Sequence, residues 1–352
     1  MEEIVSLLAK KRENIAMVGR FLSAKAFEQF CWTVFLMSLI LAGARAIWAQ
    51  SGGADAGAIS TGKPPGNASA AGLNLSVDST LVLVPVTVTD NTNRFVLGLD
   101  KDSFSVLEDG KLQRVAQFSG EDAPLSVGLL VDISGSMGEK LEISRRAVRQ
   151  FLNTMNAQDE AFLIEFSDRA ELVVPFTHRT AEIEQQVKSI ESRGLTALLD
   201  AVYLGLDEMK KGKNPRKALL IISDGGDNNS RYTSQEIKDL VKQADVQVYS
   251  MGVFEAFPFL GITAAELSGP RLLTEISQQT GGRVFAATNS DDLPRIAETI
   301  GVELRNQYVL AYMPGNEQRD GKYRHIEVKL KPPAGLPPLK ARWRLGYYAP
   351  GQ

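Results

Sequence analysis

Hydrophobic and polar residues alternate over residues 75–120, which is the pattern of strands with one buried face. The run LNLSVDSTLVLVPVTVTD is rich in β-branched residues, and SFSVLEDGKLQRVAQFS continues the alternation. In the second run Asp109 and Gly110 separate two alternating halves, and an Asp-Gly pair tolerates the positive φ angles of a tight hairpin turn. Residues 75–120 therefore predict an N-terminal antiparallel β segment.

After Pro124 the period of the pattern changes. Short, nearly continuous apolar runs such as SVGLLVDIS and KALLIISDG are typical of strands buried on both faces, and segments of helical spacing alternate with them. One such helical segment is RLLTEISQQTGG, which starts at Arg271. Strands that alternate with helices imply a mainly parallel sheet with helices on both faces. The sequence therefore predicts a doubly wound α/β domain over residues 125–305.

Period-two patterning returns over residues 307–350, in the runs QYVLAYMP, YRHIEVKLKP and ARWRLGYYAP, which Gly and Pro turns separate. This stretch predicts a C-terminal β segment. The fold class is thus α/β, with a doubly wound, mainly parallel sheet inserted between N- and C-terminal antiparallel β segments.

Residues 1–49 have the pattern of an export signal. Basic residues precede an apolar run at 30–42, and small residues follow it. That order is typical of a secretory signal peptide, and the run is shorter than the ~20 residues that span a bilayer comfortably. A retained membrane anchor is the alternative, and Met17 is an alternative start. We expect an exported protein, periplasmic or extracellular, that is membrane-anchored if the segment is retained.

A flexible linker is predicted after this signal, because residues 50–74 are rich in Gly, Ala, Ser and Pro and offer little apolar surface to bury.

Composition narrows the possible functions. The chain has 39 Lys and Arg against 42 Asp and Glu, and no stretch concentrates the basic residues into the patch that nucleic-acid binding requires. The single cysteine, Cys31, lies in the apolar N-terminal run, and the two histidines are His178 and His325. Disulfides, thiolate metal sites and histidine-rich zinc sites are therefore not expected.

A group of candidate oxygen donors lies where the first buried strand ends, in the sequence Asp132-Ile133-Ser134-Gly135-Ser136. The carboxyl ends of parallel strands form the ligand-binding edge of an open sheet. The spacing D-x-S-x-S allows one carboxylate and two hydroxyls to converge on one point. Hard oxygen donors of low total charge suit Mg²⁺ or Mn²⁺, which retain waters and leave room for an outside ligand.

Two further oxygen donors are expected from neighbouring loops. Thr196, before a predicted helix, is the candidate third hydroxyl, and Asp224, at the end of KALLIISD, is the candidate second acid. Asp227 is the alternative acid, although it lies further from the strand end. Asp168 is interpreted as a turn residue and His178 as a solvated loop residue.

No enzymatic activity is expected. The sequence has neither a G-x-S-x-G elbow nor a G-x-x-x-x-G-K-[ST] phosphate loop. Ser136 has no assigned base, and with only two histidines in the chain a Ser-His-Asp triad is not expected.

Over residues 125–305 the chain resembles a von Willebrand factor type A domain. The order of strands and helices is similar, and the metal-ion-dependent adhesion site of that family, D-x-S-x-S with a distant Thr and a distant Asp, is matched at five positions: Asp132, Ser134, Ser136, Thr196 and Asp224. The resemblance implies that the hydroxyls bind the metal directly and the two acids act largely through water. It further implies that an Asp or Glu of a partner protein fills an open position on the metal.

The expected function is therefore an exported, Mg²⁺-dependent adhesion or protein-binding module. The alternative is a permanent scaffold or assembly subunit of a secreted or envelope complex, in which the metal site holds one fixed neighbour.

The flanking β segments carry a second resemblance. The sequence V-T-D followed by L-x-x-x-x-F-x-V-x-E-D-G is similar to a bacterial exported subfamily of these proteins. In domains of this family the first strand enters and the last helix leaves opposite the metal, which implies that Pro124 and Arg305 lie close together. We therefore expect residues 75–120 and 307–350 to meet as one antiparallel unit.

Overall fold

The structure is a computed structural model that describes residues 81–253, 264–287, 292–333 and 335–351, with the side chains of 264–267 excepted. These residues belong to one compact unit. The predicted signal peptide or anchor at 1–49 and the predicted linker at 50–74 lie outside the described residues. Within the ranges given, no helix is long and apolar enough to cross a membrane.

Four short strands precede the α/β domain: β1 (Val82–Thr89), β2 (Phe104–Glu108), β3 (Lys111–Gln113) and β4 (Val115–Ser119). Strands β2 and β3 pair antiparallel, which confirms the hairpin prediction. The turn between them has positive φ at both positions, 47° at Asp109 and 77° at Gly110, as a two-residue hairpin loop requires.

The central sheet has six strands in the order β10-β9-β8-β5-β6-β7. All neighbours are parallel except β6 and β7, which pair antiparallel at one edge. Every residue of β5 is buried, as its continuous apolar run predicts. The six strands are β5 (Leu125–Asp132), β6 (Glu160–Phe166), β7 (Ala170–Thr177), β8 (Arg216–Ser223), β9 (Gln247–Val253) and β10 (Val284–Ala287).

Helices pack on both faces of this sheet, which confirms the predicted doubly wound class. Apolar side chains of α1, α2 and α6 form the core on one face, and those of α3, α4 and α5 form the core on the other. The helices are α1 (Leu141–Leu152), α2 (Thr180–Lys188), α3 (Leu198–Met209), α4 (Ser234–Gln243), α5 (Ala264–Gln279) and α6 (Leu293–Arg305).

Helix α5 begins before its predicted start at Arg271 and continues through Pro270. Its second turn lies against the loop that follows β8, because a Cβ on Gly269 would come within 2.6 Å of the carbonyl carbon of Gly225. Such a close backbone approach is a tertiary contact, so the local pattern of the sequence does not predict where this helix starts.

The chain ends in four strands: β11 (Tyr308–Tyr312), β12 (Tyr323–Leu330), β13 (Lys340–Trp343) and β14 (Gly346–Tyr348). They combine with the N-terminal strands into two sheets, in the orders β13-β1-β11-β4 and β14-β12-β2-β3. The two sheets share one apolar core, which we call the β sandwich. Each sheet takes strands from both ends of the chain.

The entry and exit of the α/β domain are adjacent, since Arg305 at the end of α6 forms an ion pair of 3.0 Å with Asp122 just before β5. A second connection is buried. Glu303 is fully buried on α6, and its carboxylate accepts hydrogen bonds from Arg283 at 2.7 Å and from Arg342 of β13 at 3.1 Å. The β sandwich is therefore fixed to the last helix of the α/β domain.

Candidate metal centre

Asp132 is the last residue of β5, and no part of it is exposed to solvent. Its Oδ1 accepts a hydrogen bond from the backbone N–H of Ser134 at 2.9 Å, and its Oδ2 accepts one from the hydroxyl of Ser223 at 2.6 Å. Burial is the main cause that raises the pKa of Asp132 to about 6, and the nearby charge of Asp224 contributes to this rise. The carboxyl group is thus fixed in position and only partly compensated.

The two serine hydroxyls lie next to each other after this strand. The Oγ atoms of Ser134 and Ser136 are 3.1 Å apart, and the chain there forms a single 3-10 turn over Gly135–Met137. Ser134 is buried and Ser136 is exposed. The turn therefore presents one hydroxyl from inside the sheet edge and one from the solvent side.

Thr196 belongs to a loop that is joined to the turn after β5 by two backbone hydrogen bonds. The N–H of Gly135 donates to the carbonyl of Gly194 at 3.0 Å, and the N–H of Arg193 donates to the carbonyl of Ile133 at 2.7 Å. Thr196 is 4% exposed, and in the part of the chain that the structure describes no protein group hydrogen-bonds to its hydroxyl. This third hydroxyl is therefore available as a ligand.

The loop after β8 holds the backbone of Thr196 from the other side. The N–H of Thr196 donates to Oδ1 of Asn228 at 2.8 Å, and the carbonyl of Thr196 accepts from the N–H groups of Asn228 and Asn229, both at 3.0 Å. Both backbone polar groups of Thr196 are thereby satisfied by one loop. We did not identify Asn228 from the sequence, where it stands among polar residues in the run DGGDNNS.

Asp224 directly follows β8 and is 4% exposed. Its Oδ2 lies 3.4 Å from Nζ of Lys140, just before α1, and its Oδ1 accepts a weak hydrogen bond of 3.3 Å from the N–H of Gly226. The alternative acid, Asp227, lies at the start of α3, where its Oδ1 accepts from the N–H of Leu199 at 3.3 Å and from the Ser230 hydroxyl. Asp227 therefore accepts a hydrogen bond from a backbone N–H group at the N-terminus of α3 that has no partner within the helix.

Ser223 joins the two strand ends that carry the acids. Its hydroxyl donates to Asp132 and accepts from the N–H of Gly225 at 2.9 Å, so it links the end of β5 to the loop after β8. Neither Ser223 nor Lys140 was assigned a role from the sequence. Both contact residues that are distant along the chain. The position of Ser223 directly before the candidate acid Asp224 could have indicated it, whereas no such signal exists for Lys140.

Asp168 does more than form a turn. Its Oδ1 accepts from the N–H of Leu195 at 2.8 Å, and its backbone carbonyl accepts from the side chain of Asn229 at 2.7 Å. Gly194 has a φ of +76°, and a Cβ there would lie 2.5 Å from the Asp168 carboxylate, so a larger residue would displace this loop. His178 is exposed and bonds to the carbonyl of Asp159, which precedes β6.

The donor set fits a hard divalent cation. Among the described residues, no group of three or more His, Cys, Asp or Glu side chains is arranged so that it could hold a metal ion. Three neutral hydroxyls and two acids are instead the oxygen ligands that Mg²⁺ and Mn²⁺ prefer. The buried, partly compensated carboxyl of Asp132 is the feature that a cation would stabilise.

Similarity to known proteins agrees with this fold. The sequence profile of the von Willebrand factor type A domain matches residues 127–226. The chain is 25% identical over 190 residues to an uncharacterized protein of Borreliella burgdorferi, and the alignment covers 48% of this chain and 55% of that protein. It is 28% identical over 134 residues to inter-alpha-trypsin inhibitor heavy chain H3 of Homo sapiens, with 34% of this chain and 15% of that protein covered.

The chain thus matches little more than half of the first relative, 55%, and a small part of the second, 15%. A solved structure of a von Willebrand factor type A protein from Catenulispora acidiphila has 12% sequence identity and a TM-score of 0.44, over 79% of this chain and 75% of that chain. On the match to residues 127–226, this chain contains a von Willebrand factor type A domain.

Proposed function

We propose that this protein is an exported, non-enzymatic binding module that captures an acidic side chain of a partner protein through a divalent cation. Asp132, Ser134, Ser136, Thr196 and Asp224 would hold Mg²⁺ or Mn²⁺. The observation that carries the proposal is the fully buried and only partly compensated carboxyl of Asp132, beside the adjacent hydroxyls of Ser134 and Ser136. When bound, the cation would supply a positive charge with an open position for a carboxylate.

The charges around the centre favour an anionic ligand. Asp132 and Asp224 contribute two negative charges, and Lys140 contributes one positive charge at 3.4 Å from Asp224. A divalent cation added to this set would make the local net charge positive. Attraction between that charge and a partner carboxylate is partly offset by dehydration, so the surrounding surface must add selectivity.

The surface next to the hydroxyls has both apolar and basic character. Leu195, directly before Thr196, is 50% exposed, and Arg193 of the same loop is exposed. A partner acid that has an apolar neighbour would therefore fit this surface well. Catalysis is not part of the proposal, because His178 bonds at the start of β6 and His325 lies on β12, so neither histidine can act as a base at the end of β5.

Export is part of the proposal on the basis of the sequence of residues 1–49, which lie outside the described residues.

The first prediction separates the two candidate acids. Replacing Asp132 or Asp224 by Asn keeps the shape of the side chain but removes a negative charge, so the affinity for Mg²⁺ and Mn²⁺ should fall by more than about tenfold. Asp227→Asn should leave the affinity for the metal essentially unchanged, because the carboxylate of Asp227 bonds to a backbone N–H group at the N-terminus of α3. Isothermal titration calorimetry measures the affinity of the wild type and of the three variants for Mg²⁺ and Mn²⁺. An affinity equal to wild type in Asp132→Asn would overturn the metal assignment.

The second prediction concerns Asn228, which positions Thr196 without contacting a metal. Asn228→Ala removes the acceptor for the Thr196 N–H and should weaken Mn²⁺ binding by about tenfold, as loss of a supporting hydrogen bond to a metal ligand does. Asn228→Asp retains an acceptor oxygen and should restore the affinity. In the metal-free protein the Thr196 amide should exchange its hydrogen faster in Asn228→Ala alone. Equal metal affinity in all three proteins would contradict this role.

The third prediction concerns the partner. The full chain, immobilised and incubated with the envelope fraction of its source cell, should retain a protein in Mg²⁺ and release it with a chelator. Asp132→Asn is the matched control and should retain none. A complex that survives the chelator would indicate a permanent subunit, and equal retention by Asp132→Asn would contradict metal-mediated capture.

A further inference from the structure

A cavity of about 310 Å³ lies between the β sandwich and the α/β domain. Its apolar wall comes from both sides: Leu83, Pro85 and Val309 belong to β1 and β11, whereas Val241 and Val246 belong to the region from α4 to β9. Small-molecule sites have volumes of about 300–1,000 Å³ and often occur at domain interfaces. The cavity therefore has the size and the location of a ligand site.

The cavity is separate from the metal centre. It reaches the first residues of β8, Arg216 and Lys217, whereas Ser223 and Asp224 at the other end of that strand belong to the metal centre. Seven steps of roughly 3.3 Å per residue place the two ends of β8 about 23 Å apart. A ligand in the cavity would not contact the metal, so the two sites can be tested independently.

Arg216 brings a buried positive charge to this cavity. It is 7% exposed, and its guanidinium donates to the backbone carbonyls of Leu304 and Arg305, both at 3.1 Å. Carbonyl oxygens satisfy N–H groups but do not neutralise the charge. The buried Nε of Arg216 has no hydrogen-bond partner, and no carboxylate of the described residues lies within ion-pair distance of Arg216. The nearest acidic influence is the charge of Asp122, which acts from beyond that distance.

Lys217 adds a second positive charge, on a side chain that is more flexible than that of Arg216. It is half-buried, and its Nζ donates to the carbonyl of Met209 at 3.2 Å. It too has no ion pair with a carboxylate in the described ranges. The acidic residue of the lining, Asp245, is 63% exposed in its side chain and already pairs with Arg344. Arg216 and Lys217 therefore leave the cavity with an excess of positive charge.

We propose that this cavity binds a small organic acid that has an apolar body. The carboxylate would contact Lys217, and Arg216 would supply a fixed positive charge behind it. The apolar body would lie between Val309 and Leu83 on one side and Val246 on the other. A buried cation that has no carboxylate within ion-pair distance is costly, because the more distant charge of Asp122 compensates it only in part. An anion in the cavity would offset the rest of that cost, while the apolar walls lose contact with water.

The test uses 4-phenylbutyrate as the probe and 4-phenylbutan-1-ol as its neutral analogue, titrated into the full chain at low ionic strength, where charges are least screened. The acid should bind saturably in calorimetry, and the alcohol should bind at least about tenfold more weakly, because it lacks the charge-assisted hydrogen bond. Absence of saturable binding, or equal affinity for acid and alcohol, would overturn the proposal.

Two variants locate the binding. Lys217→Gln removes one cation and should weaken the binding of 4-phenylbutyrate by about tenfold. Lys101→Gln changes an exposed residue outside the lining and should leave the affinity for 4-phenylbutyrate unchanged. Val309→Trp fills the cavity and should abolish binding of both probes. An unchanged circular dichroism spectrum and cooperative thermal unfolding verify that each variant is folded. Undiminished binding of the acid to both Lys217→Gln and Val309→Trp would place it elsewhere and refute the proposal.

Discussion

Asp132 has no exposed surface, and burial raises its pKa to about 6, so at neutral pH the protein holds a largely ionised carboxylate away from water. Such a group is costly unless hydrogen bonds and an opposite charge compensate it. Hydrogen bonds from Ser134 and Ser223 supply part of this compensation, and the nearby Asp224 opposes it. A divalent cation would compensate both acids at once. The proposed function is a consequence of this electrostatic constraint at the end of β5.

The loops around the centre are held by the protein itself. The turn after β5 bonds to the loop that carries Thr196 through Gly135 and Gly194, and Asn228 fixes that loop to the end of β8. These bonds hold the backbone of the turn after β5 and the backbone of Thr196. A backbone that is held in place in this way lowers the entropy that binding must overcome.

Much of the fold could be predicted from local periodicity. After Pro124 the alternation of polar and apolar residues changes to continuous apolar runs, and this change predicted the α/β class. The Asp109-Gly110 pair predicted the hairpin. Both features depend on residues that are neighbours in sequence. The candidate ligands could be proposed because strand ends in a parallel sheet share one edge. The start of α5 could not be predicted in this way, since the helix continues on the N-terminal side of Pro270, where Gly269 lies against Gly225, a residue distant in sequence. Lys140, Ser223 and Asn228 were missed for the same reason, because each acts on a residue that is 32 to 91 positions away.

The most direct measurement is an anomalous-scattering map from crystals grown with Mn²⁺. The account predicts one strong peak at the end of β5, about 2.1 Å from the Oγ atoms of Ser134 and Ser136, with Thr196 in the same coordination sphere. The peak should be absent from crystals of Asp132→Asn grown in the same solution. A peak elsewhere on the molecule, or the same peak in the variant, would contradict the assignment of this centre as the metal-dependent binding site.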